Sequence, residues 1–251
     1  MTDENKTPVK VPARRYKYFD LVMAAFVTVL ICSNLIAPGK VCHLIFWGEK
    51  ISFFGTPITF SVGNLFFPFS YIFGDILTEV YGYARSRKVI WAGFGGSVFS
   101  AIMAYVVVAI PSTLEDGYQV QLQQAIELAF GNTFRIVIAS LMAFWAGEFV
   151  NSYVLAKMKI WTKGKMLWSR TIGSTIFGQA ADSMIFYPLA FWGLWTPLTM
   201  LKVILFNMVF KIVWEAAMTP FTYFFVAKLK KLEQEDYYDF DTNFSPFSLE
   251  D

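Results

Sequence analysis

Polar and ionisable side chains recur at helical spacing inside stretches that are otherwise apolar: Tyr71, Asp75 and Glu79; Glu148 and Asn151; Gln179 and Asp182; Asn207, Lys211 and Glu215, with Asn64 ahead of the first set. Residues three or four apart share one face of a helix, so each set forms a polar stripe. An ionisable group inside a bilayer costs a few kcal/mol on insertion scales and marks a functional site by default. Four such stripes are hidden most cheaply by turning toward one another, which makes a central polar cavity. Five acids (Asp75, Glu79, Glu148, Asp182, Glu215) face one lysine there, so the cavity is either strongly negative or partly protonated. It suits a cation or a ligand rich in hydrogen-bond donors and disfavours phosphates and nucleotides. With 27 Phe, 12 Tyr and 8 Trp, the chain also has walls for a flat ring to stack on, although Trp47, Trp161 and Trp168, near span ends, fit an interfacial belt.

Each of these residues also has a purely structural reading. Lys211 and Glu215, four apart, are placed to neutralise one another. Glu79, next to the end of its span, is placed to pair with Arg85 or Arg87. Asn151 and Gln179 suit interhelical hydrogen bonds. Asp182 is the hardest to explain this way, being about twelve residues into its span with no basic neighbour in its own helix.

The elements that must position these groups are membrane helices. Of 251 residues, 56% are hydrophobic and only 16% charged, with mean hydropathy +0.47; soluble domains carry about a quarter charged residues. Six stretches are long enough to cross: about Tyr18 to Ala37, Ile58 to Leu77, Val89 to Ile110, Thr133 to Leu155, Thr171 to Trp192 and Leu198 to Val226. The first, with no small-residue cleavage site after it, reads as a retained span rather than a signal peptide. Lysines and arginines cluster before span one, between two and three, between four and five, and after six. Sixteen lie on that side; the other holds only Lys40, Lys50, Arg135 and Lys202. Both termini are therefore expected in the cytoplasm. The organisation expected is a basic segment 1–17, a six-helix domain 18–232 and an acidic tail 233–251 that is disordered. Between spans three and four, Gly117 to Phe130 reads as a short helix on the outer surface.

Several function classes drop out. So many spans leave no room for a separate soluble catalytic domain. Cys32 and Cys42 make neither a metal cluster nor a disulfide framework, one histidine, His43, supports no His-rich metal or triad site, and no G-x-x-x-x-G-K-[ST] string provides a P-loop. No cofactor, metal or catalytic residue is expected.

The string Phe67-Pro68-Phe69-Ser70-Tyr71-Ile72-Phe73-Gly74-Asp75-Ile76-Leu77-Thr78-Glu79-Val80-Tyr81-Gly82-Tyr83, followed by Arg85-Ser86-Arg87-Lys88, resembles the signature of the queuosine precursor transporter family, also called vitamin-uptake-transporter-like. Gln179-Ala180-Ala181-Asp182-Ser183-Met184-Ile185-Phe186 resembles its second motif, and Asn207, Lys211, Glu215 and Pro220 match its last-helix pattern more loosely. The resemblance covers roughly residues 20–228. It implies an all-α membrane protein, a compact six-transmembrane-helix bundle similar to the substrate-binding subunits of energy-coupling-factor importers. It also implies import across the inner membrane of 7-deazaguanine bases used to complete modified tRNA: 7-cyano-7-deazaguanine, 7-aminomethyl-7-deazaguanine or queuine. The partners implied are that small molecule and the lipid bilayer. Nucleic acid and a separate ATPase are not expected, and a homodimer is left open. Two competing readings are a binding subunit that needs an ATPase module, and an intramembrane aspartyl protease built on Gly74-Asp75 and Asp182. The protease would want G-x-G-D, and Ile72 stands where its first glycine belongs.

Overall fold

The computed structural model describes residues 16–35, 41–43, 45–46, 48–50, 52–53, 56–57, 59–61, 67–113, 116–131 and 134–248. Seven helices are described: α1 (Phe19–Leu35), α2 (Phe67–Tyr81), α3 (Tyr83–Ala109), α4 (Gly117–Phe130), α5 (Phe134–Trp161), α6 (Leu167–Phe191) and α7 (Pro197–Glu233). Helices α3, α5 and α7 are each long and apolar enough to cross a membrane. Their apolar side chains point outward: Phe99, Ile102, Met103 and Val106 on α3, and Leu201, Leu205, Val209 and Val213 on α7, are exposed. Side chains of this kind are stable against lipid and costly against water, so the chain is an all-α, multi-pass membrane protein.

Span two differs from the expected 58–77. Its helix starts at Phe67, and Thr59–Ser61 is instead a strand, β6, paired antiparallel with β1, Val41–His43. Two further strand pairs lie between them, β2 (Ile45–Phe46) with β3 (Glu49–Lys50) and β4 (Ser52–Phe53) with β5 (Thr56–Pro57). A short apolar run rich in aromatic and β-branched residues fits strand and helix alike by hydropathy. The surface helix α4 has the bounds read from the sequence. Asp116 caps it, accepting from the Gln119 amide at 2.7 Å, and none of its residues is buried.

The core runs through α1, α2 and α7, around Phe26, Leu30, Ile76, Leu77, Val80 and Tyr81. A buried hydroxyl cluster ties α2, α3 and α5 together: Thr78 Oγ1 lies 2.9 Å from Ser86 and 3.1 Å from Ser152. Helices α5 and α6 meet through glycines. A Cβ on Gly178 would lie 2.8 Å from the Asn151 Cβ, and one on Gly147 would lie 3.0 Å from the Asp182 Cβ. Only a bare backbone permits so close an approach.

Both described ends of the chain sit at one end of the bundle. Glu233, the last residue of α7, accepts from the amides of Lys17 and Tyr18 at 2.9 and 2.7 Å and so caps α1. The acidic tail, expected to be disordered, is docked as far as it is described. Asp239 accepts from the Tyr83 amide at 3.0 Å, capping α3 where Gly82 has no side chain to do so. Arg87 donates to the carbonyls of Asn243 and Ser245 at 2.6 and 2.8 Å, and Phe244 packs on Tyr83 and Tyr153. Composition suggested a solvated tail because the acids have no bases beside them in sequence. Their partners come from other elements.

Asp236 bridges Lys159 and Lys230 at 2.6 and 2.7 Å. Burial pushes its carboxyl up, but those two ammonium groups outweigh burial and hold it below the usual carboxylate range. Its contribution to docking is thus fully present above the ordinary Asp pKa and lost as pH falls through the lower docked value. Asp239 has the opposite sign: burial raises it, so its contribution is present at low pH and declines as pH rises through the raised value. Because the Asp236 side chain is 46% exposed, its pairing is discounted to about 1 kcal/mol. Asp236→Asn is expected to speed proteolytic clipping of the tail about fivefold at neutral pH, with the difference fading only as pH falls below the ordinary Asp pKa and through the lower docked value. A rate unchanged at neutral pH would show that aromatic packing alone holds the tail.

Candidate polar chamber

The stripes read from the sequence largely converge. Tyr71, Gly147, Glu148, Asn151, Gln179 and Asp182, with Phe144, line a chamber of about 20 Å³ between α2, α5 and α6. That is room for about one water. The glycine contact between α5 and α6 explains why Glu148 and Asn151 lie so close to Gln179 and Asp182. On the α2 side, Gly74 has the same role, since a Cβ there would lie 3.1 Å from Glu148 Oε2.

Two polar links cross the chamber walls. Asn151 Nδ2 donates to Asp75 Oδ1 at 2.9 Å, joining α5 to α2. Lys211 Nζ pairs with Asp182 Oδ2 at 3.3 Å, joining α7 to α6. Lys211 therefore does not simply neutralise Glu215, as their spacing allowed. It reaches a neighbouring helix and also lies 5.9 Å from the centre of the Tyr71 ring. Tyr187, which the sequence reading overlooked, is also within electrostatic reach of Lys211 and Asp182. Only its spacing of five from Asp182 could have hinted at this.

What is left over on the acidic and amide side chains is a set of acceptors, beside two unpartnered buried donors, Trp145 Nε1 on α5 and Trp214 Nε1 on α7. Asp75 Oδ2, Glu148 Oε2, both carboxylate oxygens of Glu215, Asn151 Oδ1 and Gln179 Oε1 are buried without a hydrogen-bond partner among the described residues. On these side chains every such orphan is an acceptor. A buried acceptor left unpaired costs about 1–3 kcal/mol, so the cluster is chemically matched to a molecule that brings donors.

Two expected site residues stand elsewhere, and a third is not among the described residues. Glu79 is fully buried, but its partners lie at the end of the bundle where the described ends of the chain meet. It does not pair with Arg85 or Arg87. Its carboxylate meets Arg170 at 3.0 Å, Lys230 at 2.6 Å and Lys159 at 3.6 Å, a cluster supplied by α5, α6 and α7. Asn207 is half-buried and donates to the Val203 carbonyl one turn back in its own helix at 3.0 Å. Asn64 lies outside the described residues. The two aspartates of the protease reading each have a separate partner, Asn151 and Lys211, so that reading gains no support.

A family model described as putative vitamin uptake transporter matches residues 61–225. The chain belongs to this family. Among putative vitamin uptake transporters and their kin, a probable queuosine precursor transporter of Bacillus subtilis (strain 168) is 28% identical over 70% of this chain and 74% of its own length. The queuosine precursor transporter of Escherichia coli (strain K12) is 26% identical over 52% of this chain and 54% of its own. A probable queuosine precursor transporter of Haemophilus influenzae (strain ATCC 51907 / DSM 11121 / KW20 / Rd) is 29% identical over 52% and 51%. The chain thus spans about half the length of the last two relatives. No solved structure matches. The family region takes in α2 through most of α7, and with them every chamber residue named above.

Proposed function

We propose that the protein imports queuosine precursors, 7-deazaguanine bases such as 7-cyano-7-deazaguanine, 7-aminomethyl-7-deazaguanine or queuine, and that the chamber is where they bind. The observation that carries this reading is the cluster of buried acceptors without partners. A guanine-like edge presents a ring N–H beside an exocyclic amino group, and one carboxylate can accept from both. Glu148, Asp75 and Glu215 are the acceptors in this reading, Asn151 and Gln179 orient the ring, Tyr71 provides a face, and Lys211, held by Asp182, is the donor within reach of the ring carbonyl. The aminomethyl form adds a cation that acidic walls also favour.

The same reading has six helices, all but α4, crossing the inner membrane in an arrangement like that of energy-coupling-factor substrate-binding subunits. The basic segment 1–17 and the tail 233–251 are then both cytoplasmic, as the lysine and arginine asymmetry supports.

The test is uptake of labelled 7-cyano-7-deazaguanine and queuine into cells unable to make the precursor. Wild-type protein is expected to restore uptake. Glu148→Gln, which replaces a two-oxygen anion with a single acceptor and an amide donor, is expected to raise KM at least tenfold while the protein stays in the membrane, since a charge-assisted hydrogen bond contributes about 1.5–3 kcal/mol. Unchanged uptake by that variant would remove Glu148 from the site.

A further inference from the structure

A second and much larger cavity lies against the same helix. It measures about 940 Å³, sits between α1, α3 and α5 and is closed at one end by Phe130 and Gly131, where α4 finishes. Ile31, Val98, Val108, Ile136 and Leu141 give it aliphatic walls, with the outward-facing Ile102 at its rim, interrupted by the hydroxyls of Ser97, Ser100 and Ser140. The Ser97 hydroxyl oxygen is buried without a hydrogen-bond partner among the described residues. None of the described lining side chains is charged.

This pocket and the polar chamber share one lining residue, Phe144. Along α5 the face is continuous: Val137, Ser140 and Leu141 line the large pocket, and Gly147, Glu148 and Asn151 line the chamber. These positions are three or four apart, on one side of the helix, and Phe144 stands between the two groups. Across from it the wall narrows at Gly93 of α3, whose Cβ position would be 3.8 Å from Phe144 Cζ and close to Phe26 and Leu30. Phe144 is only partly buried, so its ring has somewhere to turn.

We propose that the large pocket is the outer vestibule of the transport path, where a planar heteroaromatic base first settles, and that the Phe144 ring is the gate between it and the polar chamber. This rests on the reading of the protein as an importer of such bases. Aliphatic walls strip water from the two flat faces of a ring, and scattered hydroxyls offer hydrogen bonds that are readily exchanged. A site without charge holds such a ring weakly enough to pass it on, while the acceptors beyond Phe144 hold its donor edge. Turning one side chain joins the two spaces without moving a helix.

The test needs no substrate. In a Cys32→Ser, Cys42→Ser background, a membrane-impermeant thiol reagent is applied to whole cells carrying either Ser140→Cys in the vestibule or Gln179→Cys in the chamber. Ser140→Cys is expected to react readily whatever stands at 144. Gln179→Cys is expected to react slowly with Phe144 in place, at least tenfold faster with Phe144→Ala, and at an intermediate rate with Phe144→Leu, which keeps most of the packing. Equal Gln179→Cys rates in all three would overturn the gate. A shielded Ser140→Cys in every variant would mean that lipid fills the pocket, overturning the vestibule. If the labelling follows the expected pattern but no deazapurine is taken up, gate and vestibule stand, and the base is overturned as the occupant along with the import reading.

Discussion

Adenine is expected to compete for uptake at least a hundredfold more weakly than a guanine-edged 7-deazapurine. The reason lies in which atoms the chamber leaves unpaired. Six buried acceptor oxygens, on Asp75, Glu148, Asn151, Gln179 and Glu215, lack partners among the described residues. In the proposed import reading, guanine's edge brings a ring N–H and an amino group to them. Adenine has a lone pair at the corresponding ring nitrogen, so a carboxylate there meets another acceptor, and both groups have been stripped of water to reach that position. Sites built around a particular hydrogen bond reject analogues lacking it by up to ~10⁴-fold; roughly 10² allows for adenine shifting to recover one contact. Competition against labelled 7-cyano-7-deazaguanine measures the ratio. Equal competition by the two rings would mean that stacking on aromatic walls, rather than the acceptors, selects the substrate.

Arg170→Ala is expected to be the most destabilising change at the other end of the bundle. Arg170 and Glu79 are 1% and 0% exposed, and the guanidinium reaches both carboxylate oxygens, at 3.0 and 3.1 Å. Removing one partner of a buried pair leaves an uncompensated charge, at about 3–5 kcal/mol. Because Lys159 and Lys230 remain beside Glu79, the lower end of that range applies, corresponding to a fall in Tm of about 5 °C or more. Arg85→Ala is the control. Arg85 bonds the Tyr81 carbonyl and lies over the Tyr16 ring, contacts whose loss is expected to lower Tm by a degree or two. Melting of the purified protein in detergent distinguishes them, and equal losses would show that Glu79 does not depend on Arg170.

The sequence made some features legible and left others hidden for physical reasons. Long apolar runs identify α3, α5 and α7 because a helix satisfies its own backbone within one segment in hydrocarbon. The start of α2 was misplaced because the residues ahead of it, around Phe53 and Thr59–Ser61, are as apolar as a helix but pair as short strands. Stripe membership was readable from spacing alone, and it brought Asp75, Glu148, Asn151, Gln179 and Asp182 together correctly. Pairing between stripes was not. Lys211 finds Asp182 rather than Glu215 because α6 lies within reach across the helix interface, and residue spacing within α7 carries no information about α6. Lys159 and Arg170 were counted toward the basic side of the protein, but such a count carries no information on depth, and both are buried. The docked tail escaped notice for the same reason, since Asp236 reaches Lys159 and Asp239 reaches the Tyr83 amide, each more than 70 residues away.

The glycine contact between α5 and α6 bears on how the protein can move. With Gly147 and Gly178 packed backbone to backbone, α5 and α6 form one close-packed hairpin. Glu148, Asn151, Gln179 and Asp182 ride on it together. The rest of the proposed binding set is carried by α2 and α7, each fastened to the hairpin by one polar link, Asn151 to Asp75 and Lys211 to Asp182. Expanding a space of about 20 Å³ to hold a two-ring base therefore means unlatching one or both of these links. A ligand that takes over Asp75 or Lys211 supplies part of the energy for its own entry, and the two latches need not open at the same time or toward the same side of the membrane.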